Sequence, residues 1–189
     1  LPNFGSSSTP AAIQRTAEAA EEHGFDSIWA TEHVLVGPEA AELYGRVYAP
    51  LMTLAWLAAI TERVALGTSI VIVPLHHPVH LAKEAATLQE LSGGRLRLGL
   101  GIGWHEDEFR FIGAPFRGRG RRADEAVRLM QALWRGERSF AGEHWSFEGA
   151  SFAPLPEPEP ELWFGGSSER AVQRTLEHGG VWHPSRGGD

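Results

Sequence analysis

The run "VALGTSIVIV", residues 64–73, is the feature that most restricts the fold of this chain. It is β-branched and nearly continuous in apolar residues, as a strand covered on both faces must be. The helical pattern "PVHLAKEAATLQELSGG" follows it, and then another strand-like run, "RLRLGLGIG". A strand, a long crossover and a second strand make a parallel pair, because antiparallel neighbours need only a short turn. The rest of the chain keeps this rhythm. "TPAAIQRTAEAAEEHGF" has Ala12, Ile13, Ala17 and Ala20 at helical spacing, with Thr9 as N-cap, Pro10 in the first turn and Gly24 as the stop. "DSIWAT" reads as a buried strand, and "PLMTLAWLAAITER" as a helix opened by Pro50. "RRADEAVRLMQALWRGE" puts Ala126, Leu129, Met130 and Leu133 on one helical face. "LWFGG", "SERAVQRTLEHG" and "GVWHPS" read as strand, helix and strand.

With the opening "LPNFG" taken as the end of a strand, the reading predicts six strands and right-handed crossovers. The two architectures that satisfy it are a (β/α)8 barrel of the TIM type and a doubly wound open sheet. A complete eightfold barrel takes roughly 250 residues, and this chain has 189. The expectation is therefore one α/β domain over residues 1–189, a TIM-type barrel that is incomplete at about six βα units. "RSFAGEHWSFEGASFAPLPEPEPE" breaks the rhythm, with two short β-like runs, glycine turns and a Pro/Glu stretch. Residues 138–160 are expected to form a hairpin-like insertion before the fifth strand.

In parallel α/β folds chemistry collects at the carboxyl edge of the strands. "SIWA" ends there in Thr31-Glu32-His33, "GIGWHEDE" follows the fourth strand, and "GGSSE" follows the fifth. Position alone leaves His33 open between a site residue and a hydrogen-bonded loop histidine. "GLGIGW" is a poor dinucleotide fingerprint, since Trp104 takes the place of the third glycine. "GGSS" ahead of a helix fits either an anion site or an ordinary turn with Ser168 as N-cap. "RGRGRR", residues 117–122, fits either an anion site or a solvated loop. His76 and His77 are adjacent and point to different sides, and His105-Glu106-Asp107-Glu108 reads as the start of a helix. No metal site is expected.

A net charge of −7 disfavours nucleic-acid binding. The absence of cysteine removes disulfides and thiolate ligands. No apolar run reaches the ~18 residues of a membrane span, and no signal peptide is visible, so a cytoplasmic protein is expected.

The ordered segments "LPNFG", "AEEHGFDSIWATEHV", Arg63 to Trp104, "ALWRGE", "SFEGASFAPLP" and "LWFGGSS" together resemble the bacterial luciferase-like monooxygenase superfamily, most of all its deazaflavin (coenzyme F420) branch. The resemblance covers nearly the whole chain. It implies a barrel with an insertion and a reduced flavin or deazaflavin at the carboxyl edge. It also implies a non-proline cis peptide at Ser69-Ile70, in a bulge that supports the coenzyme ring. Cofactor positions carry over to Glu32, Ser69, Ile70, Ile72, Ile102, Gly103, Gly165 and Gly166, and more loosely to Ser168 and Glu169. His33 matches the active-site histidine, with Glu32 beside it to accept a hydrogen bond from the cofactor and raise the basicity of His33. Trp104 would wall the substrate.

The implied function is hydride transfer between coenzyme F420 and a small organic substrate. One alternative is an FMN-dependent monooxygenase supplied by a flavin reductase, and another is a non-catalytic flavin-binding remnant. The expected assembly is a homodimer. The sugar-phosphate dehydrogenases of this superfamily carry a catalytic glutamate where this chain has Trp104, so glucose 6-phosphate is not the expected substrate. Loops after strands seven and eight, where such barrels often bind phosphate, have no counterpart in the sequence, and Arg186 is its last basic residue.

Overall fold

The computed structural model describes residues 1–185. In chain order the elements are α1 (Pro10–Glu22), β1 (Ser27–Ala30), α2 (Pro38–Tyr44), α3 (Pro50–Ala58), β2 (Ala65–Thr68), β3 (Val71–Ile72), α4 (Pro78–Leu91), β4 (Leu96–Gly101), α5 (Glu106–Ile112), α6 (Arg119–Trp134), β5 (Phe140–Ala141), β6 (Ser146–Phe147), β7 (Glu161–Gly165), α7 (Glu169–His178) and β8 (Val181–His183). A 3-10 turn, Val73–Leu75, joins β3 to α4. Helix starts follow local chemistry. The Thr9 hydroxyl accepts the Ala12 amide at 3.1 Å, and Pro10, Pro38, Pro50 and Pro78 stand at first-turn positions where a missing N–H costs nothing.

Among the described residues, one six-stranded parallel sheet runs β1-β2-β4-β7-β8, with β3 also paired to β4. The register sets Ile28 beside Leu66, Leu66 beside Leu96, and Leu98 beside Leu162. This layer buries Ile28, Leu66, Leu96, Leu98, Leu100 and Phe164 against Leu54 and Leu57 of α3, Leu81 and Ala85 of α4, and Leu129 and Met130 of α6. The opposite face lines the bore. There Trp29 stacks on His183 at 5.3 Å and meets the edge of Trp163 at 4.9 Å, while Arg97 pairs with Glu161 at 2.9 Å. No ladder joins β1 to β8 among the described residues. The architecture is therefore a partial, open TIM-type barrel.

Two expectations change. "LPNFG" is not a strand: Phe4 makes a single antiparallel bridge to Val47, the Leu1 ammonium donates to the Trp29 carbonyl at 2.7 Å, and the Asn3 side chain supplies the further ties. The fully buried Asn3 carboxamide accepts the Thr31 amide at 3.1 Å and donates to the Thr31 carbonyl at 2.8 Å, which occupies the groups a strand partner would use. "VALGTSIVIV" is also not one strand. It divides into β2 and β3 at a cis Ser69-Ile70 peptide, the position and geometry implied by the resemblance. Within residues 138–160, β5 and β6 form an antiparallel hairpin. The carboxylate of Glu125 in α6 holds it by accepting the backbone amides of Glu143, His144 and Trp145 at 2.8–3.1 Å.

Candidate active site

The bulge between β2 and β3 forms the floor. Its place depends on glycine: a Cβ on Gly101 would lie 2.3 Å from Ile70 Cδ1, and one on Gly103 would lie 2.7 Å from Ile72 Cγ2. With those positions bare, the backbone of β4 lies close under the bulge. Ser69, Ile70, Ile102, Gly103, Gly165 and Gly166 are all half-buried. They make a side-chain-poor apolar ledge along the carboxyl edge of β2, β4 and β7. The Ser69 amide donates to the Ala30 carbonyl at 2.8 Å, and its hydroxyl meets His183 Nε2 at 2.9 Å.

Glu32 and His33 leave β1 in different directions. Glu32 is buried, accepts the Ile72 amide at 2.6 Å, and sits 3.0 Å from His76 Nε2. Burial alone would lower the His76 pKa, but the Glu32 carboxylate beside it outweighs burial, so the value is raised. The expected pairing of Glu32 with His33 is not the one the fold makes. A strand turns successive side chains to opposite sides, and the partner of His33 is Glu108 of α5. His33 Nδ1 lies 3.1 Å from Glu108 Oε2, and Glu108 Oε1 accepts the Val34 amide at 2.5 Å. Both side chains are buried, 6% and 1% exposed. Burial pushes the Glu108 carboxyl up, yet the His33 ring and the Val34 amide pull it below its ordinary value, so it is ionised at neutral pH.

The loop carrying His33 has further ties to α5. The Gly37 amide donates to the buried His105 Nε2 at 2.9 Å, and His105 Nδ1 lies 3.3 Å from Glu39. Around the His33 ring stand Tyr44, with centroids 4.1 Å apart, and Trp104, edge-on at 6.0 Å. Trp104 is 60% exposed, so one face of the ring cluster opens outward.

The remaining expected residues lie apart from this pair. The Ser168 hydroxyl accepts the Ala171 amide at 3.2 Å, so it acts as the N-cap of α7, and Glu169 follows in the first turn. Within the "RGRGRR" stretch, Arg119 donates to the Gly103 carbonyl at 3.0 Å and covers the Phe116 ring at 3.8 Å. Arg186 lies outside the described residues. No group of three or more metal-ligating side chains forms among the described residues, and no helix there is long and apolar enough to cross a membrane.

Sequence reasoning did not find Glu108, His76 or His183 as partners of the site. Glu108 stood in a run of acids already accounted for by the helix dipole, and its contact with His33 spans 75 residues.

A flavin-type ring requires a flat apolar support and polar groups at its rim. The ledge supplies the first, and Glu32, His33 and the half-buried Ser69 supply the second. The residues present fit the group.

A family model described as luciferase-like monooxygenase matches residues 2–188. The oxygenase component of the flavin-dependent trigonelline monooxygenase of Acinetobacter baylyi is 30% identical over 166 residues, covering 86% of this chain and 44% of that protein. The F420-dependent glucose-6-phosphate dehydrogenase of Kineococcus radiotolerans is 37% identical over 153 residues, covering 78% of this chain and 44% of that protein. The chain thus spans about half the length of these relatives. Among solved structures, the monooxygenase RslO1 of Streptomyces bottropensis superposes with a TM-score of 0.81 at 29% identity, covering 91% of this chain and 52% of that one. An F420-dependent secondary alcohol dehydrogenase, with a TM-score of 0.75 at 20% identity over 92% of this chain and 62% of that one, shares the fold. The chain belongs to the luciferase-like monooxygenase family.

Proposed function

We propose that this chain is the coenzyme-binding part of an F420-dependent oxidoreductase that exchanges hydride with a small organic substrate. The observation that carries the reading is a buried, carboxylate-backed histidine beside a bare apolar ledge at the carboxyl edge of a parallel barrel. When bound, the deazaflavin supplies the hydride chemistry itself. Ile70 and Ile102, with Gly103, Gly165 and Gly166, would support its ring, whereas the expected Ile72 is buried beneath Gly103 and would act through its neighbours, and Glu32 and Ser69 would meet its polar rim. The buried Glu32 carboxylate is held by the Ile72 amide and His76, so it is already oriented. His33 exchanges the proton that accompanies hydride movement, through the ring nitrogen not engaged by Glu108. Trp104 covers the substrate side and limits access of water.

A second reading, an FMN-dependent monooxygenase supplied by a reductase, is favoured by the likeness to the trigonelline oxygenase component and to RslO1. The two separate by calorimetric titration of the purified protein with oxidised F420 and with FMN. Preference for F420 supports the first reading, preference for FMN the second, and binding of neither defeats both. A homodimer is proposed as the assembly, since Met52 and Trp56 of α3 and the nearby Ile60 expose apolar surface. Elution as a monomer in size-exclusion chromatography would contradict it. Glucose 6-phosphate is not the proposed substrate, because the exposed indole of Trp104 offers no carboxylate there. Reduction of F420 by that sugar phosphate would contradict this.

A further inference from the structure

We infer that Glu108 is a positioning residue that fixes the tautomer of His33, holding the ring proton on Nδ1 and leaving Nε2 as a lone-pair acceptor facing the mouth of the barrel. The inference rests on the reading of His33 as the proton-exchanging group.

The geometry leaves little freedom. Glu108 is fully buried, and its two oxygens have two separate tasks. Oε1 accepts the Val34 amide at 2.5 Å, and Oε2 faces His33 Nδ1 at 3.1 Å. An ionised carboxylate only accepts hydrogen bonds, so Nδ1 must be the donor. A neutral imidazole with its proton on Nδ1 has an unprotonated Nε2. That nitrogen makes no hydrogen bond within the described residues, and it is not among their buried, unpartnered polar atoms, so it keeps a small exposed surface on a side chain that is 6% exposed. The groups packed against the ring are Glu108 from α5, Tyr44 from α2 and Trp104 from the loop after β4. Of these, only Glu108 makes a hydrogen bond to the ring.

A purely structural role for Glu108, tying α5 to the loop after β1, is separable. In Glu108→Gln the carboxamide has one acceptor. The Val34 amide can only donate, so it takes the carboxamide oxygen. The carboxamide NH2 then faces Nδ1 and donates to it, which moves the ring proton to Nε2. The tie between α5 and the loop survives while the tautomer inverts. Glu108→Asp keeps two acceptor oxygens and so keeps the original tautomer.

The test uses the protein without coenzyme. Imidazole 15N chemical shifts of His33 are measured in wild type, Glu108→Gln and Glu108→Asp at a pH where the ring is neutral. In parallel, the rate of acylation of His33 by diethyl pyrocarbonate is followed by peptide mass spectrometry. Wild type and Glu108→Asp should show a protonated Nδ1 and an unprotonated, reactive Nε2. Glu108→Gln should show the two shifts exchanged and acylation slowed at least roughly tenfold, since the remaining lone pair lies on the buried nitrogen. Unchanged shifts and reactivity in a folded Glu108→Gln protein would overturn the inference. Exchanged shifts in a protein that binds neither F420 nor FMN would support the positioning while overturning the coenzyme reading.

Discussion

At the scale of single residues, neighbours in sequence have different partners. Glu32 and His33 are adjacent, yet one anchors the Ile72 amide and the other turns to Glu108. Replacing His33 by Ala leaves the buried Glu108 carboxylate without its ring partner, so the thermal midpoint should fall, and turnover of the folded fraction should drop at least roughly a hundredfold, the usual contribution of a placed acid–base group. A variant with wild-type rate would remove His33 from the chemistry. Replacing Glu32 by Gln exchanges a carboxylate for a carboxamide between the Ile72 amide and His76, so coenzyme affinity should fall, as read by calorimetry. The positions of these two residues were legible because a buried strand ended in polar groups. Their partners were not, because only packing selects Glu108 from three consecutive acids. Adjacent His76 and His77 do point apart, one to Glu32 and the other capping α4 through the Val79 amide.

At the scale of elements, periodicity located the long helices and the buried strands. It missed α2, whose seven residues give too short a pattern, and it read one strand where the bulge at Ser69-Ile70 makes two. Gly101 shows why the division matters. Gly101→Ala would drive a methyl into Ile70, so the ledge should deform, with coenzyme affinity lost more than helical content. Equal loss of both by calorimetry and circular dichroism would refute this.

The α6–α7 contact rests on a buried ion cluster. Asp124 is paired with Arg174 and with Arg170, the latter at 3.0 Å. Burial pushes the Asp124 carboxyl up, but His178 and the two arginines outweigh burial and hold it far below the usual range. Asp124→Ala leaves the buried Arg174 unpaired and should cost roughly 3–5 kcal/mol in chemical denaturation. A loss under about 1 kcal/mol would mean that Arg174 finds water instead.

At the scale of the whole molecule, the succession of alternating units correctly implied an open barrel, although one expected strand, "LPNFG", is absent and another divides in two. The contents of the bore were not legible, because Trp29, Trp163 and His183 come from strands far apart in sequence. Two histidines give stability an opposed pH dependence. The His76 pKa is raised in the fold, so its contribution is complete below the ordinary value of 6.5 and fades as pH rises through the folded value. The His183 pKa is lowered by burial, so stability is complete above 6.5 and declines as pH falls toward its folded value. Denaturation midpoints against pH should lose the alkaline decline in His76→Gln and the acid decline in His183→Gln. Unaltered profiles would assign the slopes to other groups.

The bore has one further consequence. His183 lies parallel to the Trp29 indole, 12° between planes, and 5.9 Å from Trp163. A protonated imidazole accepts an electron from an excited indole, whereas a neutral one scarcely does. The emission of these two tryptophans should therefore follow the charge on His183, whose Nε2 meets the Ser69 hydroxyl of the bulge at 2.9 Å. The interior of the barrel carries its own optical probe of the floor of the site.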